Sequence, residues 1–152
     1  MAKRGQTGHQ WGQLANTVGP RVRLLRNALA ARSIAALEGF GLPTGSLTVL
    51  SLIAANPGSS QTALARAAGL NKSALVGIVD ELEARGLAAR DRSASDRRRN
   101  HLSVTQEGER IMKAMLARVA EGEEQVRDAL GPSDHLRLLQ LLDRANAALG
   151  KP

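Results

Sequence analysis

Hydrophobic residues recur at intervals of three and four along most of the chain, which is the periodicity of a helix with one buried face. The clearest stripe occupies positions i, i+3, i+4 and i+7 of one segment: Leu75, Ile78, Val79 and Leu82. Residues that favour the first turn of a helix predict where each helix begins: Gly19-Pro20, Thr44, Ser59 or Ser60, Asn71, Thr105 and Ser133. The pattern therefore predicts six helices separated by short turns.

The periodicity changes after Gly86, which ends the fourth predicted helix. Residues 87–91 predict a short strand, residues 92–100 are polar and charged, and residues 101–105 alternate between apolar and polar side chains. Two short strands around a basic loop form a hairpin. The expected fold is therefore mainly α-helical, with one two-stranded hairpin between the fourth and fifth helices.

The third and fourth predicted helices have the features of a helix-turn-helix. Ala65 supplies a small residue where the two helices cross, and Gly69, four positions later, suits a turn that requires a positive φ. Leu75 and Ile78 are apolar anchors beneath the second helix. That helix can then lie in the major groove of DNA, and the hairpin that follows corresponds to a wing.

The composition gives the protein a positive net charge and excludes several kinds of chemistry. The 152 residues suit one domain, and 43% are hydrophobic, but only Trp11 and Phe40 are aromatic, so we expect an aliphatic core. The formal net charge of +7 indicates a polyanionic partner, either nucleic acid or an anionic membrane, and the cation excess lies in residues 1–40 and 57–105. The absence of cysteine excludes disulfides, Cys-ligated zinc and thiol-based catalysis or oxidant sensing.

Targeting segments and metal sites are also not expected. No apolar run has the length of a membrane span, and residues 1–10 lack the apolar stretch of a secretory signal. The three histidines, His9, His101 and His135, show no metal-ligand spacing. We therefore expect a cytoplasmic protein with no membrane partner, no metal and no cofactor.

The run DRRRNHLSVT, from Asp96 to Thr105, resembles the wing signature of the multiple antibiotic resistance regulator (MarR) family. In that family an Asp, an Arg two places on and a later apolar-x-apolar-Thr lead into a long helix. Four upstream segments match in order and spacing: Leu64-Ala65, Gly69-Leu70, Val79-Asp80-x-Leu82-Glu83 and Gly86-Leu87. The resemblance spans about residues 18–149.

This resemblance implies a triangular dimer in which the terminal helices of two subunits interleave. Residues 18–43 and 106–152 would form the dimerisation region, residues 44–105 the winged helix-turn-helix lobe, and residues 1–17 a flexible basic arm. The two recognition helices would enter successive major grooves of a palindromic site on double-stranded DNA. Ligands of this family bind between the dimerisation helices and the lobe, and they usually weaken DNA binding.

The predicted DNA contacts fall on the start of the recognition helix and on the wing tip: Asn71, Lys72, Ser73, Ala74, Val76, Arg97, Arg98 and Arg99. Residues at the first turn of this helix meet phosphates and base edges, and Val76 can touch a thymine methyl group. Wing arginines can reach the minor groove, where Arg98 matches the family's wing-tip arginine. Asp96 can anchor the tip by holding one guanidinium. Gly77 presents no side chain for readout.

Several residues have a second interpretation. Arg97 to Arg99 taken alone would fit a solvated loop, and Arg90 and Arg92 fit a role in supporting the wing. The arginines at positions 21, 23 and 26 fit surface or intersubunit charges. Trp11 fits a packing or dimer contact, with the wall of a ligand pocket as the alternative.

The leading functional hypothesis is a homodimeric, DNA-binding transcriptional regulator that responds to a small-molecule effector, most simply a repressor. The alternative is a dimeric interaction protein of the same fold that has lost DNA binding, as an antirepressor would, and Gly77 favours it. An enzyme ranks last, because the sequence contains no recognisable catalytic triad, phosphate-binding loop or metal cluster. Sequence alone does not specify the effector, the operator or the sign of regulation.

Overall fold

The computed structural model describes residues 10–92 and 100–150. In chain order it contains helices α1 (Gly19–Leu37), α2 (Ser46–Ala55), α3 (Gln61–Ala67) and α4 (Lys72–Ala84), strands β1 (Ala88–Arg92) and β2 (Asn100–Val104), and helix α5 (Gln106–Ala148). Single 3-10 turns occur at Gly12–Leu14 and Glu38–Phe40. The predicted architecture, mainly helical with one two-stranded hairpin, is confirmed.

The winged-helix lobe, which comprises α2, α3, α4 and the β1–β2 hairpin, has an aliphatic core. The predicted stripe on α4 is buried along its whole length. Eight further residues complete this core, of which seven lie in the other helices and strands of the lobe and one, Leu87, directly precedes β1. They are Val49, Leu50, Ile53, Leu64, Ala65, Leu87, Ala88 and Leu102. Burial of this continuous apolar cluster is what holds the short helices together, since helices of this length have little stability alone.

Three predicted helix caps are present. The side chains of Ser60, Asn71 and Thr105 accept hydrogen bonds from backbone amides three residues later, at distances of 3.2, 2.8 and 3.0 Å. Each cap satisfies an amide that has no partner within its helix. The boundaries of α3, α4 and α5 are therefore determined by local chemistry.

Two predicted caps were wrong by one or two residues. α2 begins after Gly45, which has a φ of 94° and provides no capping side chain, so Thr44 lies outside the helix. The Ser46 amide donates to the Pro43 carbonyl across this turn (3.1 Å), and the positive φ at Gly45 suits a glycine.

The second error is at the break in α5. Within this long helix only Gly131 leaves the helical conformation, with φ 71° and ψ 167°, and helical geometry resumes at Pro132. The predicted break is therefore a kink, and Ser133 lies inside the second segment rather than at its cap. Proline suits the first position of that segment because its missing N–H has no helical acceptor there.

The hairpin is joined tightly to the start of α5. β1 and β2 are antiparallel, with Ala88 opposite Val104 and Arg90 opposite Leu102, one residue displaced from the predicted strand ends. The Thr105 hydroxyl donates to the Gly86 carbonyl (2.6 Å), so one side chain caps α5 and closes the hairpin base. A Cβ at Gly108 would lie 1.9 Å from the Leu87 carbonyl oxygen, so this close approach requires glycine.

The helical arm consists of α1 and α5, which pack against each other. The Arg32 guanidinium donates to the Gln125 side chain (2.7 Å) and to the Gly122 carbonyl (3.3 Å). α1 contains no buried residue, and α5 buries only Gly108 and Met115. Among the described residues, none of the helices combines the length and hydropathy that a bilayer span requires.

Candidate nucleic-acid interface

The start of α4 is the part of the lobe that is best exposed for contact with DNA. Lys72, Ser73 and Ala74 are exposed on its first turn, whereas Val76 is half-buried. The Ala74 backbone amide donates to the Asn71 side-chain oxygen Oδ1 (2.8 Å), which caps the helix. The structure thus brings together all five recognition-helix residues that the sequence predicted, and their contacts with DNA remain predictions.

The turn between α3 and α4 sets the direction of the recognition helix. Gly69 has a φ of 68°, and the Leu70 amide donates to the Ala65 carbonyl (2.8 Å) in the pattern of a glycine-terminated helix. Ala65 is buried where α3 meets the core. A larger residue there would separate the two helices and move the exposed first turn of α4.

An arginine clamp joins the wing to the recognition helix. The Arg90 guanidinium on β1 donates to Asp80 (2.5 Å) and to Glu83 (2.6 Å), both on α4. The Arg90 backbone amide also donates to Glu83 (3.2 Å). Arg90 therefore supports the wing, which is the role that its place in the sequence predicted. Its two acidic partners were not predicted from the sequence. Their i, i+3 spacing on the polar side of α4 was the available signal.

The acidic residues in the second half of α4 are all ion-paired. Asp80, Glu81 and Glu83 each pair with an arginine, with Glu81 held by Arg85 at 2.6 Å. Within residues 10–92 and 100–150, Arg66 and Lys72 form no ion pair. Two arginines thus offset two of the three negative charges of α4, since Asp80 and Glu83 share Arg90, and Arg66 and Lys72 stay available to an anionic partner.

The predicted wing tip lies outside the described residues. This applies to Asp96, Arg97, Arg98 and Arg99, and the structure describes only the two strands that lead to and from them. Their DNA-contacting and anchoring roles remain predictions.

Trp11 packs within its own chain. The Arg21 guanidinium lies 4.9 Å from the centroid of its ring, a cation–π arrangement, and also donates to the Thr17 carbonyl (2.8 Å). In the described ranges no group of His, Asp or Glu side chains has the geometry to hold a metal ion.

A cavity of about 490 Å³ lies between the helical arm and the lobe. Its walls come from the second half of α1, the 3-10 turn at Glu38–Phe40, the start of α2 and the middle of α5. Its volume is in the range of small-molecule sites, roughly 300–1,000 Å³. A larger hollow of about 630 Å³ lies at the kink of α5, but a single helix lines it, so it is a groove on the arm.

A helix-turn-helix whose second helix is exposed and followed by a clamped hairpin defines a winged-helix DNA-binding protein. The chain belongs to the MarR family of transcriptional regulators: the family's sequence pattern matches residues 40–99. A candidate regulator of the hcr operon from Thauera aromatica is 34% identical over 138 residues, covering 88% of this chain and 81% of that protein.

Solved structures agree with this assignment. The transcriptional repressor CouR bound to a 23-mer DNA duplex has a TM-score of 0.78 and 29% identity, covering 90% of this chain and 97% of CouR. CouR from Rhodococcus jostii RHA1 bound to p-coumaroyl-CoA has a TM-score of 0.74 and 29% identity, covering 89% of this chain and 93% of that one. The protein is therefore a transcriptional regulator of the MarR family, and its relatives are regulators rather than enzymes.

Proposed function

We propose that this protein is a homodimeric repressor that binds a palindromic operator and releases it when a small molecule occupies the cavity between arm and lobe. The observation that carries the DNA-binding part is the exposed first turn of α4, whose acidic neighbours are all paired with arginines. Lys72, Ser73 and the wing arginines would provide the contacts with phosphates and bases.

The dimer is supported by the apolar surface of the helical arm. Large hydrophobic side chains lie exposed along both of its helices: Val22, Leu24, Ile34, Leu116, Leu136, Leu139 and Leu141. Soluble monomers rarely expose apolar surface of this extent, and a second copy of the same arm would bury it about a two-fold axis. Two recognition helices related by that axis suit half-sites about one DNA turn, roughly 34 Å, apart.

The effector response is supported by the position of the cavity. Its wall at Gly45 touches the recognition helix, since a Cβ there would lie 3.3 Å from the Ile78 Cδ1 atom. α2 also packs against α4, α5 and β2. A ligand that prefers one arrangement of arm and lobe would therefore change the spacing of the two recognition helices and shift the population away from the DNA-bound form.

The test is a titration of the full-length protein against duplex DNA from the region upstream of its own gene, followed by footprinting. We expect protection of a palindrome, weaker binding as salt rises, and release by p-coumaroyl-CoA, the ligand of CouR. Lys72→Ala should reduce the slope of log affinity against log salt by about one unit. Lys113→Ala is the matched control, because it removes the same charge from an exposed site on α5.

An antirepressor-like protein of the same fold is the second candidate. Ala74 and Gly77 lie exposed on the recognition helix and carry no hydrogen-bonding side chain, so few groups are available for base readout. A folded dimer that shifts no duplex DNA even at low salt would favour this candidate and contradict the repressor.

A further inference from the structure

We infer that the cavity between arm and lobe selects an uncharged apolar group, such as an aryl or acyl ester, and rejects the corresponding free carboxylate. This inference rests on the proposed effector role of the cavity and adds the chemical class of the ligand. It follows from the charges of the lining, the positions of two neighbouring arginines and the polarity of the start of α2.

Among the described residues of a single copy, the lining contains no cation. Nine of its residues are apolar side chains, including Leu37, Leu42 and Met115, and the polar groups are the hydroxyls of Ser33, Thr44 and Thr48. Within the part of the chain that the structure describes, Glu38 is the one ionisable residue that lines it, and its carboxylate would repel a second negative charge. A carboxylate that leaves water for such a site loses its hydration and finds no opposite charge in exchange.

Two arginines on neighbouring segments are held elsewhere. Arg32 lies on the same part of α1, but its guanidinium is bound to Gly122 and Gln125 of α5. Arg85 approaches the backbone at Gly41, and its side chain is paired with Glu81 at 2.6 Å. Neither residue lines the cavity.

The start of α2 acts in the opposite direction, and its effect is smaller. α2 begins at the cavity wall without a capping side chain. Its Ser46 amide donates to the Pro43 carbonyl, so the amides of Leu47 and Thr48 are the ones that attract oxygen atoms. A helix N-terminus favours an anion by about two- to fivefold, whereas the loss of hydration in an apolar site without a cation costs on the order of a hundredfold or more. The same amides and the Thr48 hydroxyl suit the carbonyl oxygen of an ester, which brings no net charge.

Solvent exposure at the mouth of the cavity reduces the expected preference for the ester over the acid. Glu38 is exposed to solvent, so water screens part of its repulsion. We therefore expect a neutral ester to bind at least tenfold more tightly than its acid, which corresponds to about 1.4 kcal/mol.

The experiment is calorimetric titration of the full-length dimer with four matched pairs: benzoate, cinnamate, p-coumarate and hexanoate, each against its methyl ester. Within each pair the apolar group is constant and only the charge changes. Leu47→Trp should fill the cavity from α2 and abolish binding there. Loss of binding in this variant therefore identifies the cavity as the binding site. Glu38→Gln should strengthen binding of the acids severalfold relative to their esters.

The outcomes separate this inference from the proposed function. An acid that binds as tightly as its ester, and loses binding in Leu47→Trp, would show that the cavity is an effector site without the charge selectivity. If no ester binds and p-coumaroyl-CoA does not release DNA, the cavity is not an effector site, and both ideas are wrong. The expected result is that each acid binds at least tenfold more weakly than its ester in the parent protein, and that Glu38→Gln reduces this difference.

Discussion

In the winged-helix lobe Leu50, Leu75 and Leu82 are completely buried, whereas in the helical arm Leu136 is 60% exposed and Leu141 47% exposed. The same residue type thus has opposite environments in two parts of one chain. The lobe closes its core within a single copy, because four short elements pack around α4. The arm has two long helices and one main contact between them, which leaves one apolar face of each without a partner.

The difference predicts which part of the molecule would depend on a second copy. A lobe with its own core should keep its structure in a monomer, and an arm without one should gain stability from dimerisation. The two regions are connected by the hairpin base at Thr105 and by the cavity wall at Gly45, so assembly of the arm can be transmitted to the DNA-binding helix.

The largest expected effect is a loss of stability in the lobe. Leu75→Ala removes a completely buried side chain from α4 and should lower the free energy of unfolding by about 2–5 kcal/mol. Leu149→Ala is the control, since this leucine is 77% exposed at the end of α5 and should have little effect. Urea unfolding of both variants gives the comparison. Equal losses would mean that the lobe has no closed core of its own.

The next effect concerns the arm. Leu139→Glu places a charge on the exposed apolar face of α5 and should weaken the dimer at least a hundredfold, about 2.7 kcal/mol, if that face is the interface. Light scattering should then detect the 16.1 kDa monomer at micromolar concentration, with the helical circular dichroism of the lobe retained. If the variant stays dimeric, the interface lies elsewhere. If the parent protein is monomeric, the proposed dimer is wrong.

Loss of the arginine clamp should have a smaller effect on stability and should weaken DNA binding in a distinctive way. Arg90→Ala leaves Asp80 and Glu83 without their partner and should destabilise the lobe by about 1–2 kcal/mol, discounted because the pairs are partly exposed. DNA binding should weaken while its salt slope stays unchanged, because Arg90 positions the wing and does not neutralise a phosphate. Arg85→Ala also breaks an ion pair with α4 but should cost less than about 1 kcal/mol. A reduced salt slope for Arg90→Ala would instead indicate direct contact with DNA.

The wing tip tests the DNA-binding surface itself. Arg98→Ala should weaken binding to all sequences by about 1–3 kcal/mol and reduce the salt slope by about one unit. Asp96→Ala should also weaken binding, although it removes a negative charge, because it releases the arginine that Asp96 is expected to hold. A purely electrostatic account predicts tighter binding for this variant. Tighter binding at two salt concentrations would therefore exclude the anchoring role of Asp96.

The smallest effect is expected at the exposed start of α5. The hydrogen bond from Arg110 lowers the pKa of Glu107 below its ordinary value of 4.5, and both groups are fully exposed. Because the pKa is lower in the folded state, the pair stabilises the protein at neutral pH, and this contribution disappears as the pH falls through the folded-state pKa. Glu107→Gln should differ from the parent in thermal unfolding only slightly at neutral pH and low salt. A difference that persists in acid or in high salt would require another cause.

Local features of the sequence predicted most of the fold. The apolar stripe of α4, the caps at Ser60, Asn71 and Thr105, and the break at Gly131 depend on residues within one or two helical turns, so periodicity and capping chemistry identify them. The errors at Thr44 and Ser133 are equally informative. Neighbouring glycine and proline residues occupy the helix boundaries there. Their backbone conformations, rather than capping side chains, determine where these helices begin.

The candidate site was predicted only in part. The exposed first turn of α4 follows from its cap and stripe, but the Arg90 clamp depends on β1 turning back beside α4 after Gly86. The cavity depends on even more distant segments, since residues 31–48 and residues 115–119 meet around it.

By itself, the sequence determined the order of the elements, the face of α4 that is buried and the basic character of the molecule, because each of these depends on residue type and short-range spacing. Only the tertiary structure decided that the acidic residues of α4 are paired with arginines, that a cavity whose described lining has no cation lies between arm and lobe, and that the arm leaves its leucines uncovered. These properties depend on which side chains meet after the chain has folded, and spacing along the chain does not specify such distances.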